Sequence, residues 1–425
     1  MKNADIIIIG GGAAGLMAAR DLSENGLKVL LLEARDRLGG RIHTLYNAGF
    51  STPVEAGAEF LHGEVPFTLQ LMQECGLQAT TAGGEMLNWE DGQLKENEGS
   101  FIEQEKELAE KLETVQQDMS VSDFLQEHFA DDKYADMRES VMMMIEGYEA
   151  ADPNKASLLS MRGDLASMDD DDGRVREGYG KIIDYLAEEC RKKGCEINLS
   201  KIVTNIDWSA GSVTVKVADG SIYTAKQVLI TVSLGILQAD DIQFQPAIPQ
   251  YMEMFGKIGF GAVVKVLLEF EHAFWQDTDA GTDIGFLFAD TPIPTWWTQA
   301  PGNSNLITGW LAGPKADAKK NSTDEELLSE ALTSLEIIFK KDIAELRRPL
   351  KAWHITNKAA DPFSKGAYSY ATAGNIAVRN ELTKPIEDTI FFAGEALYEG
   401  PCNGTVEAAL ISSVNAVSDI LKSRV

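Results

Sequence analysis

The sequence predicts an α/β fold (α+β overall): a Rossmann-like, dinucleotide-binding domain interleaved with a mixed sheet-plus-helix domain. Three observations predict it. Strand, glycine turn, helix, strand and acid follow one another within the first 33 residues. Alternating strands return between Cys195 and Val232, after a mainly helical stretch. A further strand, glycine turn and helix run from about Phe392 to Leu421.

The apolar run Ile6–Ile9 is too short to span a membrane and is bounded by glycine, so it reads as a buried strand. Gly10-x-Gly12-x-x-Gly15 follows, then an amphipathic helix with Leu16, Ala19 and Leu22 on one side. A second apolar run, Val29–Leu32, ends in Glu33. This is the order of a dinucleotide-binding βαβ unit. Gly10 permits the tight turn, Gly12 lets the backbone approach a pyrophosphate, and Gly15 lets helix and strand pack closely. The helix N-terminus, at Ala13 and Ala14, offers unpaired N–H groups to that phosphate. Glu33 is placed to accept hydrogen bonds from ribose hydroxyls. The glycine triplet alone does not choose between NAD and FAD.

Further along, residues 65–75 read as a helix and 76–100 as a Gly/Asp-rich hairpin. Residues 101–190 read as mainly helical, with apolar spacings of three and four. Met142, Met143 and Met144 are adjacent and cannot share one helix face, so they read as core filling. The acid run Asp169–Asp172 lacks the alternating ligands of a calcium loop and reads as solvated. A helix over 178–194 leads into strands at 195–200, 201–209, 211–220 and 221–232. Residues 263–271 form another strand, and 286–311 is strand-like and rich in tryptophan. Residues 324–339 are a helix, 384–395 a strand entering a glycine turn, and 404–421 the final helix. This order implies a cofactor domain of residues 1–75, 177–253 and 366–425. A substrate domain of 76–176 and 254–365 lies between its pieces.

The net charge of −28 argues against nucleic acid, whose binding is dominated by phosphate neutralisation, and suits cationic small molecules. Four cysteines without metal spacing and only five histidines give no metal site. The first strand leaves no room for a signal peptide, and residues 411–425 are amphipathic rather than a tail anchor. A cytoplasmic protein without membrane attachment, monomeric or homodimeric, is expected.

The run Glu33-Ala34-Arg35-Asp36-Arg37-Leu38-Gly39-Gly40-Arg41 resembles the flavin-containing amine oxidase family. Glu55–Gly63, Asp361–Tyr370 and Phe392–Ala409 resemble it too, in the same order. The resemblance implies FAD, with Glu33, Ala34, Arg35, Gly39, Gly40 and Arg41 along it. It implies that Gly57, Ala58, Glu59 and Phe60 run beside the isoalloxazine, and that the Val203 backbone pairs with adenine. Gly394 and Glu395 would lie near the ribityl chain, and Thr405, Val406 and Ala409 would bring a helix N-terminus to the flavin. Ala367 stands where covalent members carry cysteine, which implies non-covalent FAD.

Three residues are implied in catalysis. Lys265 lies on a strand among apolar neighbours, where burial favours the neutral form. The family's lysine there reaches flavin N5 through a water; the alternative is an edge-strand lysine that blocks aggregation. His62 is similar to a polyamine-oxidase histidine able to bond an amine, or is structural. Tyr368 would form one wall of the amine cage. Two departures stand out: Lys358 where the family commonly has tryptophan, and Thr405 where monoamine oxidases have the second cage aromatic. The implied reaction is amine oxidation with O2 reduced to hydrogen peroxide, polyamines preferred. The alternatives are a monoamine or L-amino acid oxidase, a desaturase on the same fold, or a non-catalytic flavin scaffold. An amino acid oxidase would need a pocket arginine, and Arg162, Arg174 and Arg379 are the residues to place.

Overall fold

The computed structural model describes residues 2–96, 104–160, 162, 173–277, 283–400 and 402–424. One sheet is parallel throughout, in the order Glu196–Asn198, Val29–Leu32, Ile6–Ile9, Gln227–Ile230, Ile390–Phe392. Its three middle strands are buried at every residue, which is why Ile6–Ile9 and Val29–Leu32 read as unbroken apolar runs. Helix Ala13–Glu24 lies against it with Leu16, Ala19 and Leu22 fully buried. Two further helices clasp that one. In Gly180–Lys192, the Cys190 thiol donates to the Leu16 carbonyl (3.3 Å). In Val406–Lys422, the Ser413 hydroxyl donates to the Ala14 carbonyl (2.8 Å).

A second five-stranded sheet runs Lys2–Asn3, Ile222–Ala225, Ser212–Val217, Val203–Ser209, Gln243–Gln245. The stretch 221–232, read as one strand, is therefore two, divided at Lys226. Ile222–Ala225 alternates in burial and stays in this sheet, whereas Gln227–Ile230 is buried on both faces and crosses to the parallel one. The period of burial changes at the crossing.

The largest sheet has seven strands: Leu350–Asn357, Val263–Phe270, Leu306–Ala312, Thr295–Thr298, Ile284–Ala289, Glu85–Glu90, Gln93–Glu96. Val263–Phe270 is an interior strand, so Lys265 is not an edge-strand gatekeeper. Helix Asp324–Phe339 begins at a Thr323/Glu326 capping box, and its Leu328, Leu332 and Leu335 share a core with Val266, Leu268 and Ile307. The hairpin at 85–96 turns on Asp91-Gly92, both at positive φ (52° and 77°).

Helices Glu105–Glu113, Val121–His128 and Ala135–Gly147 pack around Leu108, Phe124, Val141 and Met144. Met142 and Met143 are only half-buried. The region 101–190 is not all helix. A short strand, Gly173–Val175, pairs with both Phe60–Leu61 and Ala79–Thr81, and it delivers Arg174 to the site. The acid run Asp169–Asp172 lies outside the described residues. Among the described residues, no helix is long and apolar enough to cross a membrane, and no His/Cys/Asp/Glu group has the arrangement of a metal site.

Candidate active site

The glycine loop is built as the triplet requires. A Cβ at Gly15 would stand 1.9 Å from the Gly10 carbonyl oxygen, and Gly10 itself has φ +109°. At Gly12 the nearest atom to an added Cβ is 3.9 Å away, so this position faces open space beside the N-termini of Ala13 and Ala14. Gly11 has a role the sequence did not reveal. Its N–H donates to Glu33 Oε2 (2.6 Å), and a Cβ there would strike Leu38 at 2.6 Å. Glu33 also accepts from the Arg35 N–H (2.8 Å), so its buried carboxylate fastens the loop to the second strand. A lone pair on each oxygen remains for a ribose hydroxyl.

The second glycine pair closes over the first. Gly39 donates to the Gly11 carbonyl, and Gly40 sits at φ +57° with its Cβ position 3.5 Å from Gly12 Cα. Beyond half-buried Ala34, Arg35 makes two bonds to Asp361 (2.7 and 2.8 Å). Arg41 pairs with Glu395 and donates to the Ala367 carbonyl. Glu395 also accepts from the Ser369 hydroxyl (2.8 Å), and Gly394, at φ +140°, has nothing within 4 Å of an added Cβ. Lys201 donates its N–H to the Glu33 carbonyl, which brings the start of strand Val203–Ser209 beside the acid. Thr405 caps the last long helix, accepting from the Ala408 N–H (3.2 Å), while Val406 and Ala409 remain half-buried on one face. The result is a glycine-lined cradle with two helix N-termini and several guanidinium groups. It fits a dinucleotide with a phosphate bridge.

The opposite end holds the candidate catalytic groups. Gly57 has no room for a side chain, since a Cβ would lie 1.9 Å from the Arg41 carbonyl oxygen. Lys265 is buried, yet it is not the unpaired charge that its apolar neighbours imply. Its ammonium donates to Glu59 Oε2 (2.7 Å) and to the Gly57 carbonyl (3.2 Å). The other oxygen of Glu59 accepts from Arg174 Nε (3.0 Å), Trp297 Nε1 (3.1 Å) and Gln299 Nε2 (3.2 Å). Burial pushes the Glu59 carboxyl up, but the Lys265 and Arg174 charges overcome it and hold it at about 2. The side chain of Glu59, placed along the cofactor by resemblance, is thus engaged by Lys265 and its neighbours.

Aromatic rings connect Lys265 to the other two candidates. Its ammonium lies 5.5 Å from the Trp297 ring centroid. Trp297 contacts Phe60 (5.5 Å) and Trp310 (5.7 Å), and Phe60 contacts His62 (5.6 Å). His62 meets Tyr148 edge-on, with the Tyr148 hydroxyl 3.5 Å from His62 Nδ1. The Tyr368 hydroxyl donates to the Tyr148 carbonyl (2.5 Å). Burial, then the Glu149 charge, raises the Tyr368 phenol well above its ordinary value, so it stays a neutral donor. Lys265, His62 and Tyr368 are therefore joined by one chain of aromatic contacts. Tyr148, Trp297 and Trp310 belong to this chain of contacts although sequence reasoning did not name them. The tryptophan richness of 286–311 was the signal for two of the three.

A family model described as flavin containing amine oxidoreductase matches residues 13–421. The chain is 30% identical to probable polyamine oxidase 4 of Arabidopsis thaliana, over 96% of this chain and 86% of that protein. It is 29% identical to polyamine oxidase 4 of Oryza sativa subsp. japonica, over 98% and 88%. It is 28% identical to human lysine-specific histone demethylase 2, covering 98% of this chain but spanning only about half (53%) of that protein. Among solved structures, putrescine oxidase bound to putrescine superposes with a TM-score of 0.80 at 20% identity over 99% of each chain. Cyclohexylamine oxidase from Brevibacterium oxydans IH-35A gives 0.80 at 22%, over 98% and 99%. The cradle fits non-covalent FAD, with Ala367 rather than cysteine before Tyr368. The chain belongs to the flavin-containing amine oxidoreductase family and is an FAD-dependent oxidoreductase acting on amines.

Proposed function

We propose that this chain oxidises a polyamine-type substrate to an imine, which hydrolyses to an aldehyde, with O2 accepting the electrons to give hydrogen peroxide. The observation that carries this reading is the chain of aromatic contacts linking Lys265, His62 and Tyr368. FAD, when bound, supplies the two-electron acceptor, and this chain's residues supply orientation, dryness and proton handling. Tyr368, Trp297 and Phe60 offer flat walls to an aliphatic amine. His62, beside Tyr148, is the group able to hydrogen-bond the amine or take its proton. The third N–H of Lys265, beyond the two given to Glu59 and Gly57, is available to a water.

The arginines support an amine over an amino acid. Arg174 directs Nε to Glu59 and its remaining nitrogens to the Thr298 and Ala300 carbonyls. Arg379 is buried against the Ser369 hydroxyl and the Tyr398 carbonyl, and Arg162 is exposed. The Arg174 and Arg379 guanidinium groups are thus taken up by protein acceptors, and Arg162 lies at the surface. The relatives named polyamine oxidase and the net charge of −28 favour a cationic substrate. The same reading keeps the two-part division at 76, 177, 254 and 366, a cytoplasmic location, and a monomer or homodimer.

The test is anaerobic addition of spermine, spermidine, benzylamine or leucine to the holoenzyme, following the yellow flavin band, with a peroxide assay in air. Bleaching by the polyamines first, with peroxide released, is expected. Bleaching by none of the four would sink the oxidase reading and leave a flavin scaffold. Bleaching by leucine alone would make the chain an amino acid oxidase.

A further inference from the structure

Four cations converge on the cofactor cradle in addition to Lys265, and three of them are accounted for. Arg35 is paired with Asp361, Arg41 with Glu395, and Arg37 donates to the carbonyls of Leu38, Gly40 and Ile42. Lys358 is the fourth. It is 7% exposed, and among the described residues its ammonium has neither an ion-pair nor a hydrogen-bond partner. Its position is fixed by register. Lys265 lies opposite Thr356, and the Lys358 N–H continues the ladder by donating to the Val263 carbonyl (2.8 Å). Alternation along both strands puts Lys358, Thr356 and His354 on the sheet face that carries Val263 and Lys265. On its other side the charges acting on it are those of Arg35, Arg37 and Arg41, offset by Asp361. His43 and His354 complete its titratable surroundings.

A largely buried lysine whose ammonium meets no protein acceptor is costly. Asp361 favours its charge while three guanidinium groups oppose it, and a tryptophan or methionine would fill the space without that cost. We infer that Lys358 is a cofactor-directed cation, facing the bound flavin from the same sheet face as Lys265 and favouring the negative charge that reduction places on the ring. This rests on the placement of Lys265 beside the flavin. Burial and the three guanidinium groups lower the lysine to about 8, so it is charged at neutral pH and loses its charge as pH rises past that value.

The test needs no amine, so its outcome is separable from the substrate reading. The flavin midpoint potential is measured by dye equilibration on wild type, Lys358→Met and Lys358→Arg at pH 6.5 and 9.5. At pH 6.5 the Met variant is expected to lose about tenfold in preference for reduced over oxidised FAD, a fall of about 30 mV for a two-electron couple. The gap should narrow at pH 9.5, where wild-type Lys358 is neutral. The Arg variant, whose charge does not titrate, should match wild type at pH 6.5 and lie above it at pH 9.5. Equal wild-type and Met potentials at pH 6.5 would overturn the inference. So would weaker FAD binding with an unchanged potential, which would make Lys358 a retention residue. Should the Met variant fail to accumulate, an Arg potential that tracks wild type at both pH values would overturn it.

Discussion

Lys265 Nζ and Glu59 Oε2 lie 2.7 Å apart in a place where both side chains are almost wholly buried, 3% and 6% exposed. The pair is an island of charge whose two members depend on each other. Glu59→Gln leaves the Lys265 and Arg174 charges uncompensated, and roughly 3–5 kcal/mol of stability should be lost. Urea unfolding of the holoenzyme measures it. Adding Lys265→Met to Glu59→Gln should recover much of that loss; an additive double variant would show that the two residues act separately.

Lys265→Met alone separates chemistry from cofactor retention. FAD should stay bound, because the contacts of the glycine cradle are untouched. Reoxidation of photochemically reduced flavin on mixing with O2 should slow by roughly tenfold or more, the effect of losing about 1.4 kcal/mol of transition-state stabilisation. Unchanged stopped-flow rates would remove Lys265 from the site.

Gly12 and Gly15 should fail in different ways when replaced by alanine. At Gly15 the new Cβ meets the Gly10 carbonyl at 1.9 Å, so Gly15→Ala should destabilise the fold itself and lower the Tm of the apoprotein. At Gly12 the protein leaves room, and φ is −80°, so Gly12→Ala should fold normally and bind FAD poorly. Apoprotein melting followed by FAD titration distinguishes the two. A Gly12→Ala protein with full FAD affinity would contradict the placement of the pyrophosphate.

Glu55 should make stability fall as pH rises. Burial lifts its carboxyl to about 7, against the Tyr179 N–H and the Thr44 hydroxyl, which favour the charged form. The unfolded value is 4.5. The native state therefore holds the proton more tightly, and the stabilisation present below 4.5 is lost as pH rises through 7. Relative to Glu55→Gln, wild type should lose up to about 3 kcal/mol between pH 5 and pH 8. Parallel denaturation curves at the two pH values would contradict it.

The sequence was most legible where one stretch carries both pattern and function. Ile6–Ile9, the glycine triplet and Glu33 state their fold locally, and so does the capped helix Asp324–Phe339. Lys265 stood out because a charge interrupts an apolar alternation. What stayed hidden was decided at a distance. The crossing at Lys226 depends on which strands receive Tyr223 and Gln227, and nothing in 221–232 names them. Arg174 is 115 residues from Glu59 and sits on a three-residue strand with no periodicity to betray it. Consequently Lys265 looked unpaired, and the carboxylate that completes it was not legible as its partner.

The cradle is assembled from parts of the chain far apart in time of synthesis. Its parallel sheet needs Ile390–Phe392, and the helix behind Gly12 is fastened by Ser413 to Ala14, across 399 positions. A chain synthesised only as far as residue 380 of this sequence carries the glycine loop, but neither the outermost strand of its sheet nor the helix that clasps it. Contacts of this span are slow to form. Stable loading of flavin is thus expected only after the segment from Ile390 to Ser413 has joined the fold.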